Sequence, residues 1–179
     1  MKSEDLILSV GQFLDEETDV VIGSVEVSAF IDEEMIFTED PLTVVDFNFH
    51  LYNTYLLNNI RVLKDIADSL SDEESFMIHT LAKKKQILLE NSLIITLSNF
   101  VWEPRFKSLE NKLLVLDKFY EYCKYMRYDY LMITIEKDEK KPDTKTNIAE
   151  FPKIKQYEAM GYTNIISHQT PVMIKKISE

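Results

Sequence analysis

Between Ser98 and Cys123 the chain reads SNFVWEPRFKSLENKLLVLDKFYEYC: an apolar run ending at a proline, a short basic turn, then an amphipathic pattern. Arg105, Lys107 and Lys112 flank Ser108, at the point where a helix would begin. A helix N-terminus binds phosphate because its first backbone N–H groups are unpaired and the macrodipole adds partial positive charge. Cradles of this kind normally place glycine at the tight turn. Here Arg105, Phe106, Lys107, Ser108, Leu109, Glu110 and Asn111 include none. The stretch has the shape of a phosphate site and an altered chemistry.

Other reactive residues are isolated. His50, His79 and His168 lie far apart with no pair at metal-ligand spacing, so no metal site is expected. Cys123 falls mid-helix on an apolar face and reads as a packing residue, neither a nucleophile nor half of a disulfide. Trp102, beside Pro104, either stacks on a planar ligand or rims the core. Tyr120, Tyr122, Tyr125, Tyr128 and Tyr130 would suit a partner surface. Tyr120 on an apolar helix face and Tyr130 on a strand assign at least part of that run to packing.

At 179 residues and 45% hydrophobic, the chain is expected to form one domain with a sizeable core. A formal net charge of −11 argues against general nucleic-acid binding, which needs clustered Lys and Arg. It fits either solubility or an acidic surface for a basic partner. No apolar run reaches membrane-spanning length and the N-terminus lacks a signal-peptide pattern, so a soluble, cytoplasmic protein without membrane contact is expected. Only Gly11, Gly23 and Gly161 are available for left-handed turns, which are therefore expected to be scarce.

The elements that position the basic turn follow from periodicity. LILSVGQFL and VVIGSVEVSAFI predict a hairpin within residues 1–48. From His50, apolar residues at Leu51, Tyr55, Leu56, Ile60, Leu63, Ile66 and Leu70 have helix spacing. Ser71 and Glu74 form a capping-box pattern for a second helix, and together they predict a helical hairpin over 50–90. SLIITLSNFV is a buried strand, Ser108 caps a helix with an apolar face of Leu109, Leu113, Leu116, Tyr120 and Cys123, and YDYLMITIE is a central strand. KDEKKPDTKTN is a loop, Pro152 opens a last helix closed by Gly161, and TNIIS and PVMIKKI are terminal strands. The order predicts an α/β (α+β) mixed sheet with helices packed on it.

Three segments, VWEPRFKSLENKLLVLDKFYEYC, YDYLMITI and QYEAMGYTNI with PVMIKKI, together resemble the GCN5-related N-acetyltransferase (GNAT) superfamily over roughly Leu93 to Lys176. The most specific element is the Y-E-x-x-G-[FY] signature, here Tyr157, Glu158, Ala159, Met160, Gly161 and Tyr162. The stretch VVDFNFHLYNTYLL is similar to a subgroup with a helical insertion before the cofactor strand. The resemblance implies a GNAT-like twisted sheet with helices on both faces and a cofactor-binding half over 92–179. It implies two parallel strands splayed at a V-shaped opening, acetyl-CoA or another acyl-CoA as cofactor, and transfer of the acyl group to an amine. It places the pantetheine against Asn99, Phe100 and Val101. The pyrophosphate falls on the amides of residues 107–112, a span containing Lys107, Ser108, Leu109, Asn111 and Lys112, with Arg105 adjacent. Tyr157 takes the place of the family's catalytic acid.

The turn departs from the family's [QR]-x-x-G-x-[GA], since Arg105 is followed by Ser108 and Glu110 where glycines stand. A carboxylate about 6 Å from a phosphate charge costs roughly 0.7 kcal/mol in water and about 3 kcal/mol in a partly shielded site. The strand before Pro104 also lacks the acidic residue many members use as base. Glu26, on GSVEVSAF, either supplies that base from a neighbouring strand or is a solvent-facing charge on an alternating strand. Two functions are therefore expected: an acyl-CoA-dependent N-acyltransferase, or a GNAT-like protein without catalysis that works through protein contacts as an inhibitor, adaptor or assembly factor.

Overall fold

The computed structural model describes residues 5–30, 41–57, 59–83, 91–135, 154–165 and 170–177. The predicted KDEKKPDTKTN loop, Pro152 and His168 lie outside them. β1 (Leu6–Asp15) and β2 (Val20–Ala29) form the expected antiparallel hairpin. β3 (Leu42–Asn53) then pairs antiparallel with β2. It runs through His50, Leu51 and Tyr52, where helix spacing was read, and α1 (Ile60–Leu70) starts only at Ile60. The correction has a physical cause. Phe47 and Phe49 enter one core and Tyr52 enters another, so a strand buried on both faces loses the alternation that marks strands.

α2 (Asp72–Leu81) follows α1 directly, capped by Ser71, whose Oγ accepts from the Glu74 amide at 3.1 Å. Next come β4 (Leu93–Trp102), a 3-10 turn (Pro104–Phe106), α3 (Leu109–Tyr125) and β5 (Tyr130–Thr134). The chain ends with α4 (Ile154–Ala159), β6 (Thr163–Asn164) and β7 (Val172–Lys176). The seven strands order as β1-β2-β3-β4-β5-β7-β6, and only β4 and β5 run parallel. This is the mixed α+β architecture implied by the GNAT resemblance.

Helices cover both faces. α3 buries Val115, Leu116, Phe119 and Cys123 on one face, beside Tyr157 of α4. The expected stripe was rotated, because Leu109, Leu113 and Tyr120 are only half-buried. On the other face α1 and α2 contribute Leu63, Ala67, Met77, Ile78 and Leu81 to a second core.

Left-handed backbone is more common than the glycine count implied. Asp19, Asn91, Asn99 and Arg127 all have positive φ, as does Gly161 with φ 87. Asn and Asp accept this region at the lowest cost among residues with side chains. Gly23 serves close approach instead, since a β-carbon there would fall 2.2 Å from the Phe49 ring.

The second core is organised by one carboxylate. Glu74 of α2 is fully buried, and its Oε2 accepts from Tyr52 Oη at 2.9 Å and from Thr96 Oγ1 at 2.7 Å. Its Oε1 lies 3.0 Å from His50 Nδ1. The Glu74 side chain thus serves β3 and β4, and the reciprocal half of the capping box is not made. Replacing Glu74 by Ala would leave buried polar partners on both strands, and urea melts are expected to show a loss of about 3–5 kcal/mol. Tyr52→Phe removes one bond to a charged acceptor and is expected to cost about 2 kcal/mol.

Burial pushes the Tyr52 and Tyr162 phenols up; for Tyr52 the Glu74 charge and hydrogen bond add to the effect. A raised folded pKa contributes stability that is complete below the unfolded value near about 10 and is lost as pH rises through the folded value. Stability should therefore decline above about pH 10. Tyr162→Phe should flatten that decline in melts followed between neutral and alkaline pH.

Candidate functional site

The site begins with two parallel strands that are joined at one end and parted at the other. β4 and β5 pair over Ile94–Leu97 and Tyr130–Ile133. Asp129 locks the joined end: its Oδ2 accepts from the Leu93 amide at 2.8 Å, its amide donates to Leu93 O at 2.9 Å, and its carbonyl accepts from the Ile177 amide at 2.8 Å. Past Leu97 the strands separate. β4 follows β3 to Trp102, while β5 follows β7 to Thr134.

A bulge produces the separation. Asn99 has φ 55, and the β3–β4 register shifts between Asp46 and Asn48, so two β4 residues oppose Phe47. The extra residue returns Phe100 to the α3 face, where it stacks on Phe47 at 4.8 Å and on Trp102 at 6.4 Å. The β4 edge beyond Leu97 faces away from β3 without a strand partner among the described residues.

A cavity of about 210 Å³ occupies the opening. Asn99, Phe100 and Trp102 form one lip, and Ile133 and Thr134 the other. Lys112 and Leu116 of α3 and Tyr157 of α4 line it from one face, and Glu73 of α2 reaches it from the other. Of the residues singled out in the sequence, the structure brings together Asn99, Phe100, Trp102, Lys112 and Tyr157. Glu73 was missed because a glutamate in the first turn of a helix reads as a solvated charge favouring the macrodipole. Only the placement of α2 against the opening shows otherwise. Thr134 Oγ1 donates to Glu73 Oε1 across the two elements.

The remaining candidates lie apart from the cavity. Val101 is 67% exposed. Arg105 Nε pairs with Glu103 Oε1 at 3.1 Å, and its guanidinium lies over the Phe106 ring at 5.5 Å. Lys107 is exposed. Glu26, exposed on β2, accepts from Ser28 Oγ at 3.2 Å and Thr43 Oγ1 at 3.0 Å and does not line the cavity.

The glycine-less turn is unstrained, because none of Pro104 to Lys112 has positive φ. Lys107, at φ −73 and ψ 48, forms a tight turn in which Phe106 O accepts from the Ser108 amide at 2.7 Å and from Asn111 Nδ2 at 3.1 Å. Ser108 is the helix cap, with Oγ accepting from the Asn111 amide at 3.2 Å. The Lys107 and Lys112 amides bond Pro104 O and Ser108 O. Of the six amides at 107–112, those of Leu109 and Glu110 are left without a protein acceptor among the described residues. Lys112 Nζ lies 5.9 Å over the Trp102 ring, so a cation connects this helix start to the cavity.

Burial pushes the Cys123 thiol up, which keeps it protonated and inert. Burial lowers Lys175, whose Nζ sits 3.5 Å from the Tyr120 ring centre. Among the described residues no group of His, Cys, Asp and Glu is placed to hold a metal ion, and no helix is long and apolar enough to cross a membrane.

No protein-family model matches the chain, and no curated protein sequence matches it. Among solved structures it is similar to FeeM, an N-acyl amino acid synthase from uncultured soil microbes, at 10% identity over 96% of this chain and 91% of that one, with TM-score 0.46. It is also similar to an apo mutant of agmatine N-acetyltransferase, at 6% identity over 86% of this chain and 73% of that one, with TM-score 0.43. A mutant of KacT aligns at 8% identity over 97% of this chain and 95% of that one, with TM-score 0.41.

The bulge yields a direct test. Asn99→Gly keeps a residue suited to φ 55 and is expected to change stability by less than about 0.5 kcal/mol. Asn99→Val places a branched side chain in the left-handed region and is expected to cost about 2 kcal/mol or more, measured by urea melts of both variants.

Proposed function

We propose that the chain is an N-acyltransferase that transfers an acyl group from acetyl-CoA or another acyl-CoA to an amine. The observation that carries this reading is the cavity where β4 leaves β5, with an unpaired strand edge at Asn99 and Phe100, a cation at Lys112 and a phenol at Tyr157. An acyl-CoA supplies an activated thioester, a chain of amides and a diphosphate. The unpaired β4 edge suits the amides as a strand suits its neighbour. The Leu109 and Glu110 amides, with Arg105, Lys107 and Lys112 nearby in sequence, suit the diphosphate. Tyr157, almost fully buried at 5% exposure and lining the cavity, is suited to protonate a departing thiolate.

Glu110 is the unfavourable element, an exposed carboxylate in the first turn of α3. It supports a second reading, in which the turn is structural and the protein works through protein contacts. Calorimetry and thermal melts with CoA separate the two. At a CoA concentration about a hundredfold above Kd, binding stabilises the fold by about 2.7 kcal/mol, and no shift at millimolar CoA would overturn the acyltransferase reading. Where CoA binds, Glu110→Gln is expected to tighten it by about 1 kcal/mol at low ionic strength, with less effect at high salt. Tyr157→Phe is expected to slow turnover about a hundredfold while leaving CoA affinity unchanged.

A further inference from the structure

We propose that Glu73 receives the acceptor: its carboxylate holds a primary aliphatic ammonium at the mouth of the opening and removes the proton that must leave before nitrogen can attack. This rests on the acyltransferase reading above and extends it to the acceptor's chemistry. Glu73 is the one carboxylate lining the cavity among the described residues. It arrives on α2, from the sheet face opposite α3 and Tyr157. Two features fix its position. The neighbouring Glu74 ties α2 to β3 and β4 inside the second core. Thr134 Oγ1 at the end of β5 donates to Glu73 Oε1, leaving Oε2 without a partner among the described residues. A carboxylate held by one oxygen at the lip of a cavity lined by both apolar and polar side chains, with the other oxygen available, suits a small cationic head group. Glu26, the acid named for the base, is engaged elsewhere by Ser28 and Thr43, and Glu103, at the end of the cofactor strand, is paired with Arg105.

The step balances as follows. The ammonium gives one proton to Glu73, which passes it to water. The nitrogen lone pair forms the bond to the acyl carbon as the carbon–sulfur bond breaks, with its electron pair remaining on sulfur. Tyr157 protonates that sulfur and is reprotonated from water, while the second proton lost by nitrogen leaves through Glu73 to water, so one proton is released overall. Base and acid stand on opposite faces of the sheet, so acceptor and leaving thiol use different sides of the opening.

The test follows thiol release from acetyl-CoA by the full chain with hexylamine or hexanol, and CoA affinity by calorimetry. Hexylamine is expected to be acylated and hexanol not. Glu73→Gln is expected to leave CoA affinity within about twofold and to lower the hexylamine rate about a hundredfold at neutral pH. The lost rate should return about tenfold per pH unit toward the amine's own pKa near about 10.4, because an amine already neutral needs no base. A purely structural role for Glu73 would depress the rate equally at every pH and would overturn the assignment. So would a Glu73→Gln protein as fast as wild type, or a wild type that binds CoA and spares hexylamine. Failure of wild type to bind CoA would instead overturn the acyltransferase reading on which this one stands.

Discussion

The molecule depends on a contradiction imposed on β4. At Leu93 it must stay in register with β5, and Asp129 enforces this with backbone and side-chain bonds to the start of the strand. At Asn99 it must leave β5 while remaining paired to β3. A parallel pair does not open spontaneously, because each backbone group that loses its partner is costly when buried. The bulge resolves the conflict. By inserting one residue against Phe47 it bends β4 and returns Phe100 to the aromatic stack with Phe47 and Trp102. The edge that results is unpaired but opens on a cavity, so its groups are accessible to a ligand.

The same divergence explains why helices on opposite faces can meet. In a closed sheet, α2 and α3 would be separated by a layer of backbone and could share no site. Where the strands part, Glu73 and Tyr157 line one space. The position of α2 is set by Glu74, and a buried carboxylate is an unusual choice for that purpose. Apolar packing of similar volume would hold a helix as well. A carboxylate bonded to Tyr52 and Thr96 instead specifies one rotation and one register, since any slip leaves charge unsatisfied. Positional accuracy is what a side chain reaching through an opening requires.

Much of the C-terminal half was legible because its signals are local. The proline, the Ser108 cap, the α3 period and Gly161 each act within a few residues, whereas the meeting of Asn99, Phe100, Lys112 and Tyr157 at one cavity depends on how distant elements pack. β3 was misread because burial of Tyr52 against α2 on one face and of Phe47 and Phe49 on the other removed its alternation. The bulge was invisible for a related reason: asparagine in a strand says that left-handed backbone is tolerated, not that it is adopted. Glu73 carried no signal at all, since its neighbourhood is assembled from α2 and β5, which are distant in sequence.

The turn at Ser108 shows how far a missing motif residue constrains function. Glycine matters in a phosphate cradle for two separable reasons, left-handed backbone and absence of a β-carbon near the ligand. Here every residue from Pro104 to Lys112 has negative φ, so the first reason does not apply. Serine in place of one glycine even supplies the helix cap. What remains is charge and amide supply. Ser108 has taken the Asn111 amide for itself, and Glu110 brings a carboxylate toward the two amides left over. A helix start with two open amides and one adjacent carboxylate attracts a diphosphate only with help from the cations around it. Any CoA-like ligand that this chain bound would therefore be held by the β4 edge and the cavity more than by the turn at Ser108, the reverse of the balance that a glycine-rich loop provides.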